Sequence, residues 1–147
     1  MTPDEQQQKR LLAFAQAYDP ALTEAPEAFQ FGDSPEMADR LLALVLSGKK
    51  TATTGWPADP SVYEGMLSIV LDGRNQPRAI IRTVQVEQVP FLEVSAAFAA
   101  AEGEGDLTLD WWREAHRHFF LRQQTEHPFT DKEAVQCETF EVVWPQP

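Results

Sequence analysis

Residues 47–57 read SGKKTATTGWP, two lysines followed by three threonines within four positions. A lysine beside hydroxyls can do two kinds of chemistry. If burial lowers its pKa toward neutrality it can act as the base for a hydroxyl nucleophile, and as a cation it can hold an anionic substrate. The same residues also read as a helix end running into a strand. There Lys49 and Lys50 would meet the negative end of the helix dipole, a role worth under about 1 kcal/mol. Thr51, Thr53 and Thr54 would then simply be strand formers. Geometry separates the two readings. On a regular strand Lys50 and Thr53, at i and i+3, point to opposite faces, and Lys49, Thr51 and Thr53 share one. A Lys50–Thr53 site therefore requires irregular backbone, which Gly48 just upstream makes available.

A second cluster is AEGEGD at 101–106, where Glu102 and Glu104 are either paired carboxylates for proton transfer or solvated turn residues. The histidines do not make a metal site. His116 and His118 are two apart on a helix and diverge, HExxH is absent, and Glu114 with His118 supplies only two ligands. Cys137 lies in an alternating apolar stretch and reads as a small buried residue. Trp111 and Trp112 face about 100° apart on a helix, so one is expected in the core and the other at the cleft or a subunit contact, which leaves a homodimer open.

These residues are positioned by a chain of 147 residues, 43% hydrophobic with four Trp and nine Phe, which reads as one globular domain. The single cysteine allows no internal disulfide and fits a reducing compartment. The N-terminus lacks the pattern of a signal peptide and no stretch reaches the roughly 20 apolar residues of a membrane span, so a cytoplasmic location without membrane contact is expected. A formal charge of −11 argues against a broadly basic nucleic-acid surface and favours a small substrate.

Thr2-Pro3-Asp4-Glu5 reads as a capping box opening a helix to about Tyr18, followed by a Pro-rich connection over 19–30. Ser34-Pro35 caps a second helix, with Met37, Leu41, Leu44 and Val45 on one face and Gly48 ending it. Residues 66–89 read as a hairpin, Ser95 and Thr108 as caps of two further helices, and 135–144 as a closing strand. Leu109, Trp112, Phe119 and Phe120 are expected to face inward. Strands that come mostly as hairpins, with too few βαβ units for a doubly wound sheet, predict an α+β domain built on a small, mainly antiparallel barrel with flanking helices.

The segments FGDSPEMADRLLALVLSGKKTATTG, SIVLDG with AIIRT, FAAAEGEGDLTLDWWREAHRHFF and CETFEVV, in that order over roughly residues 29–144, resemble the ASCH family. The resemblance implies a PUA-like β-barrel with flanking α-helices, a domain over 29–147 preceded by an N-terminal helix and connection at 1–28, and a cleft that handles RNA or nucleosides. One branch of the family removes an acyl group from the exocyclic amine of cytidine. Its G-x-K-T-x-T and A-E-x-E segments place catalytic roles on Lys50, Thr53 and Glu104 here. Lys49, Thr51, Trp56, Tyr63, Arg82 and Glu102 are then expected to bind substrate. Another branch, closer to this chain in length, includes proteins described as ribonucleases. The loop after A-E-x-E is one residue longer than in the compact amidohydrolases, and Met66 stands where the family usually has Asp. The implied function is a hydrolase acting on an N-acylated cytidine without cofactor or metal. The alternatives are an RNA-binding module and a metal-independent ribonuclease, each with a small nucleoside or RNA as partner.

Overall fold

The structure, a computed structural model, describes residues 2–146. The four helices are α1 (Pro3–Tyr18), α2 (Pro35–Leu46), α3 (Ala96–Ala101) and α4 (Leu109–Leu121). Each begins where a hydroxyl side chain accepts an otherwise unpaired backbone N–H: Thr2 from Glu5, Ser34 from Met37, Ser95 from Phe98 and Thr108 from Trp111. Gly48 follows α2 at φ +81°, the left-handed conformation that ends a helix.

The strands are β1 (Glu27–Phe29), β2 (Ala52–Gly55), β3 (Leu67–Leu71), β4 (Pro77–Pro90) and β5 (Ala134–Trp144). They form one sheet in the order β1-β3-β4-β5-β2. The β3–β4 hairpin, β4–β5 and β5–β2 are antiparallel, while β1 runs parallel to β3. The expected barrel is thus corrected to an open sheet. β1 and β2 lie at its two edges, and both are too short, at three and four residues, to curl round and pair. The parallel strand β1 lies inside the stretch expected to be a plain connection.

Side chains on the two faces of the sheet pack into three clusters. α1 lays Leu11 and Ala15 against Ile69, Leu71 and Ile80. α2 lays Leu41, Leu42 and Val45 against Val70, Ala79, Ile81 and Phe140. α3 and α4 enclose Phe91, Trp112, Phe120, Phe129, Val135 and Cys137. The helix of residues 1–28 therefore shares its core with the sheet, because its apolar stripe has no other surface to bury against. Among the described residues no helix is long and apolar enough to cross a membrane.

Candidate functional site

Lys50 does not lie on a strand. The chain leaving α2 makes a tight turn in which the N–H groups of Lys49 and Lys50 both donate to the Leu44 carbonyl, and β2 begins only at Ala52. This irregular backbone turns the Lys50 side chain inward until it is 2% exposed. Its ammonium donates to the Ala52 carbonyl at 2.9 Å, to Glu102 Oε1 at 3.0 Å and to Glu104 Oε2 at 3.0 Å. A lysine has three N–H donors, so all are engaged. The Phe31 ring lies beneath, 5.4 Å from Nζ.

The acidic turn reaches Lys50 because of its glycines. Gly103 sits at φ +74°, and a Cβ there would lie 2.4 Å from the Lys49 carbonyl oxygen. Gly105, at φ +62°, packs its Cα against the Trp111 indole. Only residues without a side chain permit both the conformation and the approach.

Glu102 is the centre of the network. Its Oε1 accepts from Lys50, while Oε2 accepts from the Thr54 hydroxyl at 2.6 Å and the Trp112 indole at 2.7 Å and lies 3.1 Å from His116 Nε2. His116 Nδ1 lies 2.9 Å from the Trp112 carbonyl, which can only accept. With an acceptor at each nitrogen, the ring satisfies both only as an imidazolium. The electrostatics agree. Burial alone would push the Glu102 carboxyl up, but the Lys50 and His116 charges hold it well below the usual carboxylate range. Burial would pull Lys50 and His116 down, but the Glu102 carboxylate outweighs it and raises both. Two cations and two carboxylates thus form a compact, charge-balanced cluster.

Above this cluster a half-open cleft of about 310 Å³ is walled by Phe31, Arg40, Trp111, Phe119 and Arg122, with Lys50, Thr53, Thr54, Glu102 and Glu104 at its floor. This is at the low end of the range for small-molecule sites, about 300–1,000 Å³. Glu102 is sealed beneath, while Glu104 keeps 13% of its side chain exposed. Among the three residues expected to be catalytic, Lys50 and Glu104 are in contact. Thr53 lines the same cleft but bonds to neither, and its hydroxyl makes no hydrogen bond among the described residues. Lys50 as a general base is corrected: its pKa is raised, and its protons are held by two carboxylates.

The expected binding residues scatter. Glu102 sits at the site, and Lys49 lines an adjoining groove. Thr51 is exposed and ties β2 to α3 through the Ala101 carbonyl. Trp56 is in the core against Phe120 and Phe129, because its large apolar surface is better buried there. Arg82 turns toward the end of α1, where it bonds the Tyr18 hydroxyl, and also bonds Glu141 on the neighbouring strand. Tyr63 is 62% exposed on the loop before β3, away from the cleft.

Three members of the network escaped the sequence reading: Thr54, the Trp112 indole N–H and His116. A signal existed, since Trp112, His116 and Phe120 recur at i, i+4 and i+8 on the buried face of α4, and a buried imidazole on such a stripe needs polar partners. Cys137 is buried, and its thiol is pushed up to about 12 by burial, which makes it a poor nucleophile. Among the described residues no group of three His, Cys, Asp or Glu side chains is placed to hold a metal.

The ASCH domain family model matches residues 27–144, from β1 to the end of β5. The ASCH domain from Lactobacillus crispatus JV V101 superposes with a TM-score of 0.82 at 29% identity, over 92% of this chain and 94% of that one. A protein from Enterococcus faecalis V583 superposes with a TM-score of 0.81 at 38% identity, over 91% of this chain and 88% of that one. No curated protein matches the sequence. With the match spanning the whole sheet and every residue of the Lys50–Glu102 network, this chain belongs to the ASCH domain family.

Proposed function

We propose that the cleft is the active site of a hydrolase that cleaves the amide on an N-acylated cytosine amine. The observation that carries this reading is the pairing of Glu104 with Lys50 at 3.0 Å on the floor of a cleft of small-molecule size, with one carboxylate still open to it. Glu102 is saturated by four donors and cannot carry protons, so its work is to fix Lys50. Glu104 has the remaining acceptor capacity and serves as the proton carrier.

In this mechanism the Thr53 hydroxyl, which makes no hydrogen bond among the described residues, attacks the acyl carbonyl, and its proton passes to Glu104. The oxyanion forms near the Lys50 ammonium, whose field stabilises it without proton transfer. As the intermediate collapses, Glu104 returns the proton to the departing cytosine nitrogen and the acyl group stays on Thr53 as an ester. Water then attacks the ester, losing its proton to Glu104, and as this second intermediate collapses Glu104 returns the proton to the leaving Thr53 oxygen and the carboxylic acid is released. Thr54 cannot replace Thr53, because its hydroxyl is committed to Glu102.

The test is chromatographic: N-acetylcytidine and a short RNA are each incubated with the protein, with and without excess chelator. Release of cytidine and acetate, unaffected by chelator and reduced by about 10²–10⁴-fold in Glu104→Gln, supports the reading. RNA cleavage with the acetyl group left intact would assign the cleft to ribonuclease chemistry. RNA binding without turnover of either would leave a recognition module.

A further inference from the structure

The imidazole of His116 carries one of the two positive charges in the buried network, and no step of the cleft mechanism uses it. It lines the cleft from α4, buried and stacked on Trp112 with ring centroids 4.3 Å apart, edge-on to Phe120. Both of its nitrogens are committed. Nδ1 lies 2.9 Å from the Trp112 carbonyl oxygen and Nε2 lies 3.1 Å from Glu102 Oε2. The ring has no nitrogen left for a substrate, so its influence on the cleft passes through Glu102. The contacts run in a line from His116 to Glu102 Oε2, from Glu102 Oε1 to the Lys50 ammonium at 3.0 Å, and from that ammonium to Glu104 Oε2 at 3.0 Å. The other charged groups around the cleft, Arg40, His118 and Arg122, are exposed, and Trp111 divides it from the groove that Lys49 lines. Water and salt screen those charges, whereas the buried charge on His116 is screened far less.

A carboxylate held between two cations divides its attraction between them. With His116 protonated, the pull of Glu102 on Lys50 is shared, and the ammonium stays between Glu102 and Glu104. Loss of that proton leaves one ring nitrogen facing an acceptor without a hydrogen, and gives the balanced cluster a net negative charge. Lys50 is then drawn toward Glu102, and an oxyanion forming beside it meets a carboxylate that is no longer balanced. We propose that His116 is a positioning residue of the cleft: acting through Glu102, its imidazolium holds the Lys50 ammonium where the oxyanion forms, and hydrolysis slows when the ring becomes neutral. This rests on the amide-hydrolysis reading of the cleft and adds to it a control by pH. No atom of His116 enters the reaction. The Thr53 proton still passes to Glu104, after which Lys50, His116, Glu102 and the oxyanion sum to zero charge only while His116 is protonated.

The experiment measures kcat for N-acetylcytidine from about pH 6 to 9.5 in the wild type and in His116→Gln, with circular dichroism at each pH to confirm the fold. In the wild type kcat is expected to fall about tenfold or more as pH rises through the His116 value, which the Glu102 carboxylate sets above the ordinary 6.5. Lys50, raised above its ordinary 10.5, cannot produce a fall in that range. His116→Gln keeps a donor for Glu102 without the charge, so it should give the lower rate throughout and no fall with pH. A merely structural histidine would lower the rate in the variant and leave the shape of the profile unchanged. A flat wild-type profile, or the same fall in His116→Gln, overturns the proposal. If N-acetylcytidine is not hydrolysed at all, the cleft chemistry fails, and an NMR titration of the wild type decides the role of His116 separately, as it also does if His116→Gln does not fold. An imidazolium at about pH 7 whose titration moves the Glu104 carboxyl carbon and the Lys50 Nζ signal at the same midpoint upholds its hold on the pair. A neutral ring at that pH, or Glu104 and Lys50 signals that do not follow the titration, overturns it.

Discussion

Lys50 Nζ lies 3.0 Å from Glu102 Oε1, and each of the two side chains is 1% exposed. A pair so buried is a different object from the helix-end cation that the sequence suggests. Removing one partner strands the other charge away from water, and the attraction that offset desolvation is lost.

Lys50→Met is therefore expected to lower stability by about 3–5 kcal/mol, measured by urea unfolding, and not by the under 1 kcal/mol of a surface helix end. Lys50→Met combined with Glu102→Gln should recover part of that loss. A single variant as stable as the wild type would mean that the pair opens to solvent.

The adjacent threonines should separate cleanly. Thr54→Val removes a 2.6 Å donor to the buried Glu102 carboxylate and is expected to cost about 1–3 kcal/mol. Thr53→Val removes a hydroxyl with no partner among the described residues, so the melting temperature should hold while acyl hydrolysis is lost. Hydrolysis that survives in Thr53→Val would assign the attack to water.

Glu104→Gln should reduce hydrolysis by about 10²–10⁴-fold, the usual contribution of a proton carrier, while circular dichroism shows the fold retained. Retained activity would leave Glu104 as a partner of Lys50 and nothing more.

The pH dependence of stability follows from His116 and Glu102. The raised His116 pKa contributes stability that is complete below its ordinary value of 6.5 and disappears as pH rises through the folded value. The lowered Glu102 pKa contributes stability that is complete above its ordinary value of 4.5 and disappears as pH falls toward the folded value. The network should thus support the fold most between about pH 4.5 and 6.5. Tm measured against pH should fall above 6.5 in the wild type, and that fall should flatten in His116→Gln.

Gly103→Ala should destabilise the acidic turn by more than about 1 kcal/mol, since the residue has φ +74° and its new methyl would meet the Lys49 carbonyl. Activity should fall with it, as Glu104 is carried away from Lys50. Gly55→Ala, at a position with open space and no positive φ, is the control and should stay within about 0.5 kcal/mol.

The sequence by itself determined the helices, their four hydroxyl caps, the Gly48 stop, the β3–β4 hairpin and the closing strand. Each of these is written in local spacing: a cap three residues before the N–H it accepts, an apolar stripe with helical period, a turn between two β-prone runs. It also marked Lys50 and the AEGE turn, through the resemblance of the contiguous GKKTAT and AEGE segments to the ASCH family, while their spacing alone left the helix-end and solvated-turn readings open. Strand β1 was not legible, since three residues pairing in parallel with β3 carry no local signature. Nor was the open sheet, which depends on how far two short edge strands reach toward each other.

Only the tertiary structure decided what Lys50 is. Burial and the two carboxylates facing it, 52 and 54 residues further along the chain, make it a fixed cation in place of a base. It also decided that Thr54 and not Thr53 joins the network, and that Trp112 and His116 share a carboxylate while Trp111 divides two cavities. These outcomes depend on distances between elements far apart in sequence, where desolvation and Coulomb attraction compete, and no spacing along the chain records which of the two prevails.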